Sequence, residues 1–157
     1  MIEMLLEGLK MALNSILNRY IMPNKKCPFQ IIDTNRMLTY QIIKGIETPL
    51  GVKDILSVKD GIILVGRIYI FHRPNNTTIE LDSFVVRKEY RNKKIGRKII
   101  QLIKEQYKDY TITLLTSQFK YPQAYRLYTT EGFRTIEEGN NHIIKMEWKQ
   151  NKMSEPS

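Results

Sequence analysis

Apolar residues recur at intervals of three and four near the start of the chain, over residues 1–20. This spacing predicts an amphipathic helix whose apolar side packs against the rest of the domain. Glu3, Glu7, Lys10 and Arg19 interrupt the run, and neither a basic leader nor a small-residue cleavage site accompanies it. We therefore interpret it neither as a signal peptide nor as a membrane span. A helix that lies on a membrane surface or binds a partner is the alternative.

The next part of the chain has the pattern of β-strands separated by turns. Asp60-Gly61 and Pro74-Asn75-Asn76 are typical of turns between strands. The predicted strands are Phe29–Ile32, Leu38–Ile43, the apolar run Ile62–Phe71 and Ile79–Val86. The pattern leaves the pairing of the first two strands open.

Helices and strands alternate in the second half. One helix is predicted over residues 95–107, where isoleucines repeat at helical spacing, and a second from Pro122 to Gly132, a glycine suited to a left-handed helix end. The predicted strands are Thr111–Thr116, Arg134–Glu137 and His142–Trp148, the last two joined by a turn at Gly139-Asn140-Asn141. This order predicts an α/β fold, a mixed sheet with helices on its faces.

Composition bounds the class of protein. The chain has 157 residues, 42% apolar and 26% charged, which predicts one globular domain over residues 1–149 and a disordered tail over residues 150–157. The single Cys27 cannot form an intramolecular disulfide, so we expect a reducing cytoplasm rather than a secreted scaffold. Two distant histidines, His72 and His142, do not form a usual zinc site with it, and we expect no metal.

The formal charge of +9 is unevenly distributed. Residues 87–98 contain seven basic residues and one acid, Glu89, so this segment carries most of the net charge. A predicted strand leads into this segment and a predicted helix begins at Ile95-Gly96. Unpaired N–H groups at a helix N-terminus attract a phosphate. Nucleic acid would use the same cations, but aromatic base-stacking residues and a recognition helix are not evident.

Two motifs in this region resemble those of the GNAT (Gcn5-related) N-acetyltransferases. Arg91-Asn92-Lys93-Lys94-Ile95-Gly96 is similar to their pyrophosphate loop, Arg/Gln-x-x-Gly-x-Gly/Ala, with Lys94 where the family prefers glycine. Ala124-x3-Tyr128-x3-Gly132-Phe133 is similar to their second conserved block. The resemblance covers residues 79–133. It implies the GNAT-like acyl-CoA N-acyltransferase fold, here with an additional N-terminal helix.

The resemblance also implies acetyl-CoA as the donor, with its diphosphate on the turn from Arg91 to Arg97 and its pantetheine arm beside the end of the preceding strand. The implied coenzyme-binding residues are Phe84, Val85, Val86, Arg91, Asn92, Lys93, Lys94, Ile95, Gly96, Arg97 and Ser117.

Amine acetylation needs a base for the amine and an acid for the thiolate. Tyr128 matches the family's usual general acid, and a core tyrosine is the alternative. Glu80 aligns with a glutamate that is the base in some members, and Asp82 is the second candidate; solvated carboxylates are the alternative for both. Strand alternation puts Glu80, Asp82, Phe84 and Val86 on one face unless a bulge intervenes.

These observations predict a cytoplasmic N-acetyltransferase that acetylates a primary amine of a small molecule or peptide in a ternary complex. The alternatives are a GNAT-like coenzyme-binding regulatory module, which Lys94 favours, and a basic nucleic-acid-binding domain. We expect no membrane partner, and the first helix is available as a homodimer interface.

Overall fold

A computed structural model describes residues 29–33 and 38–151, with only the backbone described for residues 29–33. The strands are β1 (Phe29–Asp33), β2 (Leu38–Thr48), β3 (Gly51–Asp60), β4 (Ile63–His72), β5 (Thr78–Val86), β6 (Thr111–Thr116), β7 (Arg134–Glu138) and β8 (Ile144–Trp148), and the helices are α1 (Ile95–Gln106) and α2 (Pro122–Thr130). The predicted N-terminal helix, Cys27 and residues 152–157 lie outside the described residues.

The eight strands of the described residues belong to one sheet, in the order β1-β2-β3-β4-β5-β6-β8-β7. Strands β1 to β5 pair antiparallel in sequence order. Strand β5 then pairs parallel with β6, and helix α1 is the crossover connection between these two strands. The sheet is therefore mixed, as the sequence predicts. Within the described ranges, no helix is long and apolar enough to cross a membrane.

The strand β3 was not predicted, and it is the main difference from the sequence-based assignment. Its sequence, GVKDILSVKD, carries four charged residues, and Asp54 lies on the buried side with only 2% of its surface exposed. The carboxylate accepts hydrogen bonds from the Gly45 N–H, the His72 ring and the Tyr107 hydroxyl. A buried carboxylate with these partners is tolerated in a core, but it breaks the apolar pattern by which strands are recognised.

Smaller corrections concern the ends of strands. The hairpin loop between β3 and β4 is Gly61-Ile62, so Ile62 belongs to the turn. The final strand begins at Ile144 rather than His142, because residues 140–142 form a short 3-10 turn.

Helix α1 packs one side against the sheet, with Ile95, Ile99, Ile100, Leu102 and Ile103 buried. A Cβ on Gly66 of β4 would lie 3.5 Å from Ile99 Cδ1, so the helix approaches the sheet closely. The N-terminus of α1 lies at the end of the sheet where β5 ends and the β3–β4 hairpin turns.

Helix α2 ends as the sequence predicts. Gly132 has φ +90°, and the Phe133 N–H donates to the Tyr128 carbonyl at 3.0 Å. Glu131 then joins the two helices, because its carboxylate lies 3.1 Å from Arg97 Nε and 3.0 Å from Lys104 Nζ.

Candidate functional site

The parallel strands β5 and β6 part before they end. Their pairing runs from Thr78↔Thr111 to Leu81↔Leu114, whereas β5 continues to Val86 and β6 to Thr116. A cleft of about 860 Å³ lies beside the part of β5 that β6 does not pair with. It is lined by Phe84, Val85, Val86, Tyr90, Arg91, Asn92, Lys94, Ile95, Gly96, Arg97, Lys120, Tyr121, Pro122, Gln123, Ala124 and Leu127.

A β-bulge at Ser83 reverses the alternation of β5. Arg67 and Tyr69 of β4 lie opposite Val85 and Asp82, so three residues of β5 span the length of two on β4, and Ser83 has φ +52°. Asp82 and Val85 therefore share one face, and Phe84 lies on the other. The prediction that Glu80, Asp82, Phe84 and Val86 share a face holds only without a bulge, and the bulge separates the two carboxylates from Phe84 and Val86.

Three hydrogen bonds hold the basic turn in place. The Arg87 N–H donates to the Val65 carbonyl at 2.8 Å, Arg91 Nε to the Val86 carbonyl at 2.9 Å, and the Tyr90 hydroxyl to Asp60 Oδ2 at 2.8 Å. The hydrogen bond to the Asp60 carboxylate raises the pKa of Tyr90. These bonds fasten the turn both to the end of β5 and to the β3–β4 hairpin.

Left-handed residues then direct the turn into α1. Asn92 and Lys94 have φ +61° and +62°, and Lys94 is the N-cap residue but makes no side-chain capping bond. The Lys98 N–H donates to the Lys94 carbonyl, the first bond of the helix. The preceding N–H groups at residues 95–97 therefore lack helical partners and can bind an anion. The Arg97 guanidinium also lines the cleft, with its Nε paired to Glu131.

Gly96 lies where α1, α2 and β5 meet. A Cβ there would lie 3.3 Å from Leu127 Cδ2 and 3.5 Å from Phe84 Cζ. Close packing of the two helices and β5 thus favours a residue without a side chain at this position.

Tyr128 lies under the cleft rather than in its wall. It is 6% exposed, and its ring centroid is 6.4 Å from that of Phe84 and 5.7 Å from that of Phe133. Its hydroxyl makes no hydrogen bond within the described part of the chain. Burial raises the pKa of this phenol, so it remains protonated at any physiological pH.

Glu80 and Asp82 line a second cavity, of about 810 Å³, together with Phe71, His72 and Arg73. The Arg73 guanidinium donates a hydrogen bond to the Glu80 carboxylate. Asp82 is exposed, and its Oδ1 accepts from the Ser83 N–H at 2.8 Å. In the parts of the chain described, no three His, Cys, Asp or Glu side chains are grouped to hold a metal ion.

Nearly all the predicted coenzyme-binding residues line the first cleft, and Lys93 and Ser117 do not. Lys93 lies over the Tyr90 ring, and buried Ser117 accepts a hydrogen bond from the Lys120 N–H. The other wall of the cleft is formed by Tyr90 and the segment from Lys120 to Leu127, which the sequence does not mark as coenzyme-binding. Pro122 is the available signal that a helix begins here, and only the fold brings this helix N-terminus beside the first.

Known proteins are similar to this chain in sequence and in fold. Residues 53–135 match the family model described as an acetyltransferase (GNAT) domain. No curated protein matches the sequence significantly.

Solved structures share the fold at low identity. An acetyltransferase from Thermus thermophilus is similar with TM-score 0.55 and 14% identity, over 61% of this chain and 63% of that one. A Thermoplasma acidophilum PaiA N-acetyltransferase in complex with coenzyme A has TM-score 0.53 and 22% identity, over 60% and 59%. An aminoglycoside 6'-N-acetyltransferase complexed with coenzyme A has TM-score 0.54 and 17% identity, over 70% and 77%. This chain thus spans about three fifths of the first two relatives.

Proposed function

Because the chain belongs to the GNAT family of acetyltransferases, we propose that it transfers the acetyl group of acetyl-CoA to a primary amine, by direct attack in a ternary complex. The observation that carries this proposal is the cleft beside the unpaired end of β5, which is lined by the cationic N-terminus of α1 and by the start of α2. Its residues suit both the diphosphate and the amide-bearing arm of coenzyme A.

The two parts of the cleft would bind different parts of the donor. The free N–H groups at the start of α1, with Arg91 and Arg97, favour the diphosphate. Beyond Leu81 the edge of β5 that faces β6 makes no strand pairing, so its backbone groups can pair with amide groups of the pantetheine arm. Asn92, Lys94, Ile95, Gly96 and Phe84–Val86 complete the proposed coenzyme-binding set.

The proposed reaction forms a C–N bond and breaks the thioester C–S bond. The amine gives its proton to the Glu80 carboxylate, with Asp82 as the alternative base, and the departing thiolate takes a proton from the Tyr128 hydroxyl. An unperturbed phenol has a pKa of about 10 and a thiol one of about 8.5. Proton transfer from the phenol to the thiolate therefore costs about 2 kcal/mol. Burial raises the pKa of Tyr128 further, which makes this proton transfer less favourable. Tyr128 must therefore stabilise the thiolate mainly by donating a hydrogen bond to the sulfur.

Access from both faces of the sheet supports this division of roles. Tyr128 contacts Phe84 on one face, and Glu80 lies on the other with Asp82 and Val85. The proposal therefore requires a thioester that lies between these two faces, beyond the last β5–β6 pair at Leu81 and Leu114. The amine and its base can then approach one side while the phenol meets the sulfur from the other.

Release of free thiol from acetyl-CoA in the presence of a panel of amines tests this proposal. We expect amine-dependent release that saturates with both substrates. Micromolar coenzyme A binding by calorimetry, without thiol release for any amine, would instead support the coenzyme-binding regulatory module. The feature that favours that rival is Lys94, a residue with a Cβ in the left-handed conformation at the cleft mouth.

A further inference from the structure

Three consecutive apolar side chains are exposed at the tip of the β3–β4 hairpin. Ile62 is 100% exposed, Ile63 44% and Leu64 38%. Scattered exposed apolar residues are common, but a contiguous group at a protruding turn is typical of a contact surface. We call residues 62–64 the apolar tip.

The apolar tip lies beside the basic segment. The Arg87 N–H donates to the carbonyl of Val65, the residue after the tip, and the Tyr90 hydroxyl donates to Asp60, two residues before Ile62. Arg87 and Lys88 are exposed next to these contacts, and Lys59 is exposed on the hairpin itself. Apolar and cationic side chains therefore occupy the same end of the molecule.

The proposed diphosphate site does not account for all of this charge. Arg91, Lys94 and Arg97 line the cleft, whereas Arg87, Lys88, Lys93 and Lys98 do not, although all seven are exposed. Four of the seven cations therefore lie outside the cleft, and two of these, Arg87 and Lys88, lie next to the apolar tip.

We propose that this end of the protein binds the surface of an anionic lipid bilayer, with the apolar tip inserted among the headgroups and Arg87, Lys88 and Lys59 on the lipid phosphates and carboxylates. Juxtaposed basic and apolar side chains suit this partner, because lipid offers a negative surface above an apolar layer. Nucleic acid fits the same cations less well, since its bases stack on aromatic rings and the tip is aliphatic. The proposal departs from the expectation of no membrane partner because the sequence presents Ile62–Leu64 as the start of a buried strand.

Flotation of the full chain with vesicles tests this proposal. Vesicles of phosphatidylcholine with about one third phosphatidylserine should bind the protein, pure phosphatidylcholine much less, and added salt should weaken binding. Replacing Ile62 and Ile63 together by serine should lower the partition coefficient about tenfold. Arg87→Gln with Lys88→Gln should remove most of the preference for phosphatidylserine.

Leu50→Ser is the matched control, because Leu50 is 85% exposed at the opposite end of β3. It should leave vesicle binding unchanged, and equal urea midpoints would show that all variants are folded. Absence of vesicle binding, or an equal loss in Leu50→Ser, would overturn the proposal.

Competition with soluble anions distinguishes the lipid surface from the cleft and from nucleic acid. Saturating coenzyme A should leave vesicle binding intact. If coenzyme A instead displaced the protein completely from the vesicles, lipid phosphate would have to occupy the cleft, and the proposal would be overturned. Oligonucleotide binding that is indifferent to the serine substitutions, with no vesicle binding, would assign the cations to nucleic acid. None of these readouts depends on acetyl transfer.

Discussion

Glu80 and Tyr128 lie on opposite faces of the sheet, and Glu80 pairs with Thr113 of β6, one residue before the β5–β6 pairing ends. The β-bulge at Ser83 is the cause, because it turns Phe84 to the face on which Tyr128 packs and leaves Glu80 and Asp82 on the other. The two candidate proton-transfer groups therefore do not contact each other. In the proposed reaction each would act on a different part of the thioester.

Tyr128→Phe is expected to lower kcat about a hundredfold and to leave the coenzyme A affinity nearly unchanged. The free energy of unfolding should change by less than about 1 kcal/mol, because the hydroxyl has no hydrogen-bond partner in the described structure. Steady-state thiol release, calorimetry and urea unfolding measure the three quantities. Tyr125→Phe, on the same helix, is the control and should keep full kcat. Unchanged turnover in Tyr128→Phe would exclude this phenol as the acid.

Arg73→Gln is expected to lower the KM for the amine by up to about fivefold. The Arg73 guanidinium forms an ion pair with the Glu80 carboxylate. A positively charged acceptor must therefore compete with Arg73 for Glu80, the proposed base. An exposed ion pair contributes about 1 kcal/mol at most, which sets this limit. Lys149→Gln, which removes the exposed Lys149–Glu147 pair, should leave KM unchanged. A higher KM in Arg73→Gln would mean that Arg73 binds the acceptor instead.

Lys94→Gly is expected to raise the free energy of unfolding by about 1 kcal/mol. Lys94 has φ +62°, a left-handed conformation that is strained for a residue with a Cβ and unstrained for glycine. Asn92→Gly should gain less, because asparagine tolerates the same conformation. Lys93→Gly, outside the left-handed region, should gain nothing. Urea midpoints compare the three variants, and a destabilised Lys94→Gly would show that the side chain stabilises the turn.

Stability is expected to fall as the pH rises above about 10. Burial raises the pKa of Tyr128, and burial together with the hydrogen bond to Asp54 raises that of Tyr107. The folded protein therefore keeps protons that the unfolded chain loses above about pH 10, and each tyrosine lowers stability by up to about 1.4 kcal/mol per pH unit there. Urea unfolding between neutral and alkaline pH measures the slope. Tyr128→Phe should make the loss of stability with rising pH less steep. An unchanged slope would contradict the claim that burial raises the pKa of Tyr128.

The sequence predicts the part of the fold whose signals are local. Isoleucines at helical spacing, Pro122 and Gly132 define α1 and α2, and the basic turn before Ile95 locates one wall of the cleft. Strand β3 is not predicted because its buried residue Asp54 is charged. The hydrogen bonds that make this burial possible come from Gly45, His72 and Tyr107, which only the fold brings near it.

The arrangement of the candidate site depends equally on contacts that the sequence does not display. A single inserted residue at Ser83 changes which face Phe84 occupies, and no local pattern marks it. The wall from Lys120 to Leu127 joins the cleft only because α2 starts beside α1. Ile62 begins an apolar run in the sequence, yet it is exposed because the hairpin turns at Gly61-Ile62.

A crystal structure of the chain with acetyl-CoA bound tests the central claim most directly. The account predicts density for the diphosphate at the N–H groups of residues 95–97, for the pantetheine arm along Phe84–Val86, and for the sulfur within hydrogen-bonding distance of the Tyr128 hydroxyl. Coenzyme bound elsewhere, or a sulfur separated from Tyr128 by the packed side chains of Phe84 and Leu127, would contradict it.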